Sequence, residues 1–351
     1  MSIPRHAFST DYSISRLIKG GWHLAGGHGT VSEEQAIEDM RAFVEAGITT
    51  FDCADIYTGV EALIGAFLEK YRSAMASGDL PAVQIHTKYV PDYDALATLT
   101  RADTERVIDR SLRRLGVERL DLVQFAWWDY GIPGYVETAG VLQDLVAAGK
   151  IRYLGITNFD GRHIQELLDA GIRLTANQVQ YSLLDQRPGA DLDALAAAHR
   201  LPFLCYGTVA GGFLSDRFLG RSESDWDRSN RSLVKYRLII DEFGGYDRFQ
   251  ALLRLLADIA QRHGASIAQI ALRYQLDTAH VAAVIVGARH RDHIGEYLAL
   301  GRIALDASDR DRIRRFIEQS PGPAGPVYGL ERDKEGVHGR IMRYNLNEQR
   351  P

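Results

Sequence analysis

The sequence predicts an eight-stranded parallel (β/α)8 barrel, and three observations carry that expectation. Eight short runs rich in apolar and β-branched residues recur along the chain. They are set about 24–37 residues apart, except for one step of about 80, and roughly 30 residues is what a strand with its returning helix needs. Helix start and stop signals fall between the runs. No Gly-x-Gly-x-x-Gly follows any run, which argues against a doubly wound open sheet, the other arrangement that eight parallel strands can take.

The runs lie at 17–22, 49–53, 83–88, 120–125, 153–156, 176–180, 203–206 and 283–286. Ser32 with Gln35 is a capping-box pattern. It precedes an apolar stripe at Ala36, Met40, Phe43 and Val44 that Gly47 stops. Thr100 with Asp103 opens a second helix, with Val107, Ile108, Ser111, Leu112 and Leu115 on one face and Gly116 as its stop. Residues 136–148 form a third helix ended by Gly149, and Ser266 with Gln269 opens a fourth. Residues 1–320 therefore read as one barrel, with 207–247 as a long loop around Gly211-Gly212-Phe213 and a polar stretch at 221–231. The Pro/Gly-rich segment from Ser320 cannot continue a helix. Residues 321–351 form a charged tail, either disordered or packed over or beside the barrel.

Composition narrows the function. The chain has 351 residues and a formal charge of −5, with an isoelectric point near 6.1. A nucleic-acid surface is usually strongly basic, so none is expected, and any phosphate ligand needs a local cationic cluster. The 46% apolar and 25% charged fractions suit a globular protein with a full core. No apolar run reaches membrane-spanning length, and no apolar signal segment opens the chain, so a membrane association is not expected. Two cysteines, Cys53 and Cys205, make neither a disulfide framework nor a metal site, and a reducing cytoplasmic setting is expected.

In such a barrel the chemistry sits at the C-terminal strand ends. Those positions are Trp22, Asp52 with Tyr57 after it, Lys88, Ala126-Trp127-Trp128-Asp129, Thr157-Asn158, Gln178, Tyr206 and Gly287-Ala288-Arg289. Taken singly, Asp52 and Lys88 would be a structural ion pair and Tyr57 a core tyrosine. Converging on one mouth, they make a general acid. Asp52 holds Lys88 in place, the lysine charge lowers the pKa of the tyrosine hydroxyl, and the hydroxyl gives its proton to a developing alkoxide. Trp22, Trp127 and Trp128 line the mouth in this reading, and three indoles would suit a cyclic or sugar-like substrate. Core packing is the alternative, above all for Trp128. Residues 215–247 and the tail near Tyr328, Arg332 and Arg340 could cover the mouth.

These residues resemble the aldo-keto reductases over nearly the whole chain. The matching motifs are Phe51-Asp52-Cys53-Ala54-Asp55-Ile56-Tyr57, Glu61-Ala62-Leu63-Ile64-Gly65, Thr87-Lys88, the stretch 149–159 ending in Ile156-Thr157-Asn158-Phe159, and 177–184 from Asn177-Gln178. The resemblance implies an NADP cofactor, held extended without a Rossmann domain, and hydride transfer to or from a carbonyl or alcohol substrate. It implies Tyr57 as general acid, with Lys88 and Asp52 tuning it. Asn158 and Gln178 would bind the nicotinamide carboxamide, and Tyr206 would stack under the ring. Gly207, Val209 and Gly212 would lie along the pyrophosphate, although the usual Ser-Pro-Leu is here Gly207-Thr208-Val209. Gly21, Trp22, Asp52 and Thr157 complete the nicotinamide end. Gly287, Arg289, His293 and Glu296 would meet the adenosine phosphate, with Arg289 favouring NADP over NAD. Tyr297 replaces a common Asn there.

One departure matters. The family carries a His after the fourth strand, in a Gln-x-His-Trp setting. This chain reads Gln124-Phe125-Ala126-Trp127, with Ala126 at the histidine position. Losing one such donor costs about 2.7–4 kcal/mol, or roughly 10²–10³ in rate. Three readings follow: a variant inactivated at Ala126, a different substrate that needs the space, or a non-catalytic NADP-binding partner protein. The second includes redox-neutral, epimerase- or lyase-like use of the cofactor.

Overall fold

A computed structural model of the chain describes residues 3–25, 32–225, 231–287 and 290–347. Eight parallel strands close into a barrel in the order β10-β3-β4-β5-β6-β7-β8-β9. They are β3 (Leu17–Gly20), β4 (Thr50–Asp52), β5 (Gln84–Tyr89), β6 (Leu120–Phe125), β7 (Ile151–Thr157), β8 (Asn177–Gln180), β9 (Phe203–Tyr206) and β10 (Val281–Val286). Each coincides with one of the eight runs within a few residues. The near-continuous burial of these strands reflects helices outside and packed side chains inside.

An antiparallel hairpin, β1 (Arg5–Ser9) and β2 (Tyr12–Ser15), precedes the barrel and was not expected from the sequence. Its Tyr12 and Ile14 pack with Ile18, Leu122, Ala176, Leu204, Ala282 and Ala283, and this cluster plugs the barrel below the site. Five residues of ordinary polarity carry no strong strand signal. The hairpin exists because the open barrel end needs an apolar cover.

Helices α1 (Glu33–Glu45), α2 (Val60–Ser77), α3 (Arg101–Leu115), α4 (Tyr135–Ala147), α5 (Gly161–Asp169) and α6 (Arg187–His199) alternate with the strands. The Thr100–Asp103 box forms reciprocally before α3, and Gly116 ends that helix in the left-handed conformation, where a glycine costs least. At α1 only half of the expected box forms. Ser32 Oγ accepts from the Gln35 amide N–H, but the Gln35 side chain turns to Asp39 instead.

The long loop expected at 207–247 is in part helical. Short 3₁₀ turns are followed by α7 (Arg231–Glu242), then α8 (Gly245–His263) and α9 (Ile267–Leu276), the last opened by a reciprocal Ser266–Gln269 box. Leu233, Tyr236, Ile239, Ile240 and Phe243 are buried. Their helical spacing gives α7 an apolar face, which the polar stretch before it obscured. After α10 (Ile294–Ala299) and α11 (Ala307–Glu318), the tail forms α12 (Gly329–Arg332) and returns across the barrel mouth. Asn347 donates to Asp55 and to the Val90 carbonyl beside the strand ends. No described helix is long and apolar enough to cross a membrane.

Candidate active site

Parallel register brings the polar strand-end residues together. Lys88 on β5 lies opposite Gln124 on β6, and Thr157 on β7 opposite Gln178 on β8. Lys88 Nζ donates to Asp52 Oδ2 at 2.6 Å and to the Cys53 carbonyl at 2.9 Å. It also stands 5.0 Å from the centre of the Tyr57 ring. The other carboxylate oxygen, Asp52 Oδ1, accepts from Gln124 Nε2 at 3.1 Å and Gln178 Nε2 at 2.6 Å. Gln124 was not singled out by sequence, although its inward place in β6 is readable from the two-residue alternation of a strand.

The electrostatics follow from this packing. Burial acts to neutralise Lys88, but Asp52 and Tyr57 outweigh it and hold the ammonium above the ordinary lysine range. Tyr57 departs from the sequence expectation. Burial raises its hydroxyl pKa more than Lys88 lowers it, and Asp52 adds to the rise. Both Cys53 and Cys205 are buried thiols raised by desolvation.

The neighbouring wall carries the expected cofactor residues. Asn158 follows β7 in the left-handed conformation, with φ of 61°, and its side-chain oxygen accepts from the Tyr206 hydroxyl at 2.9 Å. Thr157 Oγ1 donates to the Gln178 carbonyl, so its hydroxyl braces the strands. Gln178 spends its amide N–H groups on Asp52 and Gln124. The turn after Tyr206 has positive φ at Gly207, Ala210, Gly211 and Gly212. A side chain at Gly207 would strike the Tyr236 hydroxyl at 2.5 Å, while Gly212 faces open space. Val209 packs against the core at the edge of this turn. Gly21 donates to the Asp52 carbonyl at 2.7 Å and has no room for a Cβ against that backbone, while Gly287 abuts the His23 ring. A half-buried tyrosine face, an amide beside it and a bare glycine turn fit an extended nicotinamide dinucleotide. His293 and Glu296 are more than half exposed and face each other at 3.5 Å. Arg289 lies outside the described residues.

The tryptophans separate. Trp22 is 42% exposed and packs edge-on against Tyr57 at 5.1 Å. Trp128 donates to the Pro91 carbonyl at 2.9 Å and meets Tyr344 of the tail. Trp127 does not reach the mouth. It is 2% exposed, packs on Phe125 and Tyr135, and donates to the carbonyls of Asp129 and Ile132. An indole N–H with two local acceptors drives the ring inward. Ala126 is partly buried, and its N–H donates to the Tyr89 carbonyl. From the tail, Arg332 donates to the carbonyls of Trp127 and Asn158, and Tyr328 is buried nearby. Arg340 points to solvent.

A closed barrel with a lysine–carboxylate pair beneath a tyrosine at its C-terminal mouth defines a barrel oxidoreductase. The model of the Aldo/keto reductase family matches residues 16–318, and the chain belongs to that family. It is 25% identical over 336 residues to the aldo-keto reductase YhdN of Bacillus subtilis (strain 168), covering 93% of this chain and 98% of that protein. It is 23% identical over 325 residues to an NADH-specific methylglyoxal reductase of Escherichia coli (strain K12), covering 88% and 97%. A solved aldo/keto reductase from Klebsiella pneumoniae, in complex with NADP and acetate, superposes with a TM-score of 0.64 at 23% identity, covering 89% of this chain and 94% of that one. The chain is accordingly an NAD(P)-dependent oxidoreductase.

Proposed function

We propose that the protein reduces an aldehyde or ketone with NADPH, or runs the reverse oxidation of the alcohol, with Tyr57 as the proton donor. The observation that supports this most directly is the Lys88–Asp52 contact of 2.6 Å with Lys88 5.0 Å from the Tyr57 ring. The bound nicotinamide supplies the hydride. Tyr57 gives its proton to the carbonyl oxygen, and Lys88 stabilises the phenolate left behind. Burial keeps the Tyr57 hydroxyl protonated, and the Lys88 charge offsets part of that rise, which eases release of the proton to the developing alkoxide. Asp52 anchors Lys88, and Gln124 and Gln178 anchor Asp52. Asn158 and Gln178 would hold the carboxamide, Tyr206 would offer its face to the ring, and the turn at Gly207, Val209 and Gly212 would receive the pyrophosphate. Gly287, Arg289, His293 and Glu296 would receive the adenosine end, with Arg289 the residue that would favour a 2′-phosphate. Trp22 and Trp128 offer aromatic faces to a cyclic or sugar-like substrate.

Ala126 leaves the substrate oxygen with one donor fewer. The retained Asp52, Tyr57 and Lys88 support turnover over a purely cofactor-binding role. Two buried, unpaired cysteines fit a reducing cytoplasmic setting. The reading is tested by following NADPH oxidation with a panel of aldehydes, ketones and open-chain sugars. Turnover by the wild type that Tyr57→Phe abolishes is expected. Tight NADPH binding with no turnover on any carbonyl would instead place the protein among cofactor-binding partners.

A further inference from the structure

α7 carries Ser232, Lys235 and Tyr236 at spacings that put all three side chains on one face of the helix. Each meets the mouth. Ser232 Oγ accepts the Trp22 indole N–H at 3.3 Å, and that indole packs on Tyr57. Tyr236 closes against Gly207. Lys235 stands between them, its Nζ 5.1 Å from the centre of the Tyr206 ring, 5.5 Å from Tyr328 and 5.9 Å from Tyr236. The rings come from β9, from the tail and from α7 itself. The ammonium therefore sits where three segments converge on the rim of the site.

Among the described residues this ammonium has neither a hydrogen bond nor an ion pair, only the three rings. The carboxylates of the same region are already engaged. Both oxygens of Glu331 accept from Arg187, at 2.9 and 3.0 Å. Asp185 accepts from Arg187 and from Gln180. Aromatic faces attract a cation but offer no lone pair to its three N–H donors. Burial pulls the Lys235 pKa down, with Glu331 opposing. The ammonium is half-buried and not sealed from the mouth, so its N–H donors remain available to an anion that enters there.

We propose that Lys235 is an anion-binding position of the mouth, taking a carboxylate or phosphate group carried by the carbonyl substrate. This rests on the placement of the reacting carbonyl at Tyr57. A remote charge–charge contact would hold the carbonyl in place by binding energy gained away from the reacting atoms, which matters more where Ala126 offers the oxygen nothing. The pyrophosphate of the cofactor has the same chemistry and is the rival source of the anion.

The test compares the wild type with Lys235→Met and Lys235→Arg. Three quantities are read: the ratio of kcat/KM for 4-carboxybenzaldehyde to that for benzaldehyde, the affinity of the NADP⁺-loaded protein for benzoate by calorimetry, and the NADPH dissociation constant by fluorescence. Lys235→Met is expected to lower the aldehyde ratio and the benzoate affinity by roughly 10–100-fold, with Lys235→Arg restoring most of both. Equal losses on the two aldehydes, or unchanged benzoate affinity, would overturn the proposal. A weakened NADPH affinity with an unchanged aldehyde ratio would also overturn it, placing the pyrophosphate at Lys235. If the wild type turns over no carbonyl, the proposed reaction fails, and the benzoate comparison still decides the anion site.

Discussion

Arg187 grips both carboxylate oxygens of Glu331, and neither side chain is more than 2% exposed. The partners lie 144 residues apart, so this pair is the joint between the barrel and the tail that crosses its mouth. Arg187 also holds Asp185. Burial alone would neutralise Glu331, but Arg187 overrides it and brings the carboxyl down to about 2.

Removing one member of a buried pair leaves the other charge without compensation. Glu331→Ala is therefore expected to cost about 3–5 kcal/mol in urea unfolding. It should also open the tail to proteolysis in the Pro/Gly-rich stretch 320–326, while Glu331→Gln gives a smaller loss. An unfolding midpoint and a cleavage pattern like those of the wild type would show that the tail does not depend on this joint.

Tyr57→Phe removes the hydroxyl proposed as proton donor but keeps the ring that Trp22 and Lys88 contact. A fall in kcat of about 10²–10⁴-fold is expected, with NADPH affinity little changed. Lys88→Met should lose a similar factor. Because it also strips Asp52 of its charge partner, it should lower thermal stability as well. Steady-state kinetics beside a fluorescence titration of NADPH separates the two effects.

Ala126→His adds a donor at the position where the proposed mechanism places the substrate oxygen. For small carbonyls a gain in kcat/KM of roughly 10²-fold is expected, the lower end of what one such donor supplies. A bulky cyclic substrate should lose affinity as the space fills. No gain on any carbonyl across the panel would mean that the missing donor does not limit the rate.

Acid should weaken the fold in two stages. His86 is fully buried, accepts or donates to the Tyr12 hydroxyl at 3.0 Å, and is held down to about 4 by burial, with Asp52 opposing. The unfolded chain binds this proton near pH 6.5 and the folded chain does not. Stability is thus lost as pH falls from 6.5 to about 4, by on the order of 3 kcal/mol. Glu331 adds a second loss between about 4.5 and 2, where its stabilising charge is neutralised first in the unfolded chain. Urea midpoints between pH 7 and 4 check the first stage, and His86→Asn should flatten it.

The barrel, and the gathering of its polar strand-end residues, were legible in the sequence. Asp52, Lys88, Gln178 and Tyr206 sit at the ends of strands whose patterns repeat at a regular spacing, and parallel register carries such positions to one mouth. Gln124 was legible in principle from strand alternation. Trp127 was misplaced because a strand end does not reveal whether an indole finds its acceptors inward or at the rim.

By itself, then, the sequence determined the fold class, the Asp52–Tyr57–Lys88 constellation and the alanine at position 126, because each depends on local pattern or residue identity. Only the tertiary structure decided the rest. It folded α7 over Gly207, seated Lys235 among three tyrosines, bolted Glu331 to Arg187 and plugged the barrel with the N-terminal hairpin. It also reversed the expected shift of Tyr57, since desolvation depends on what covers a group. Burial and long-range pairing are set by residues far apart in the chain, and no local pattern records them.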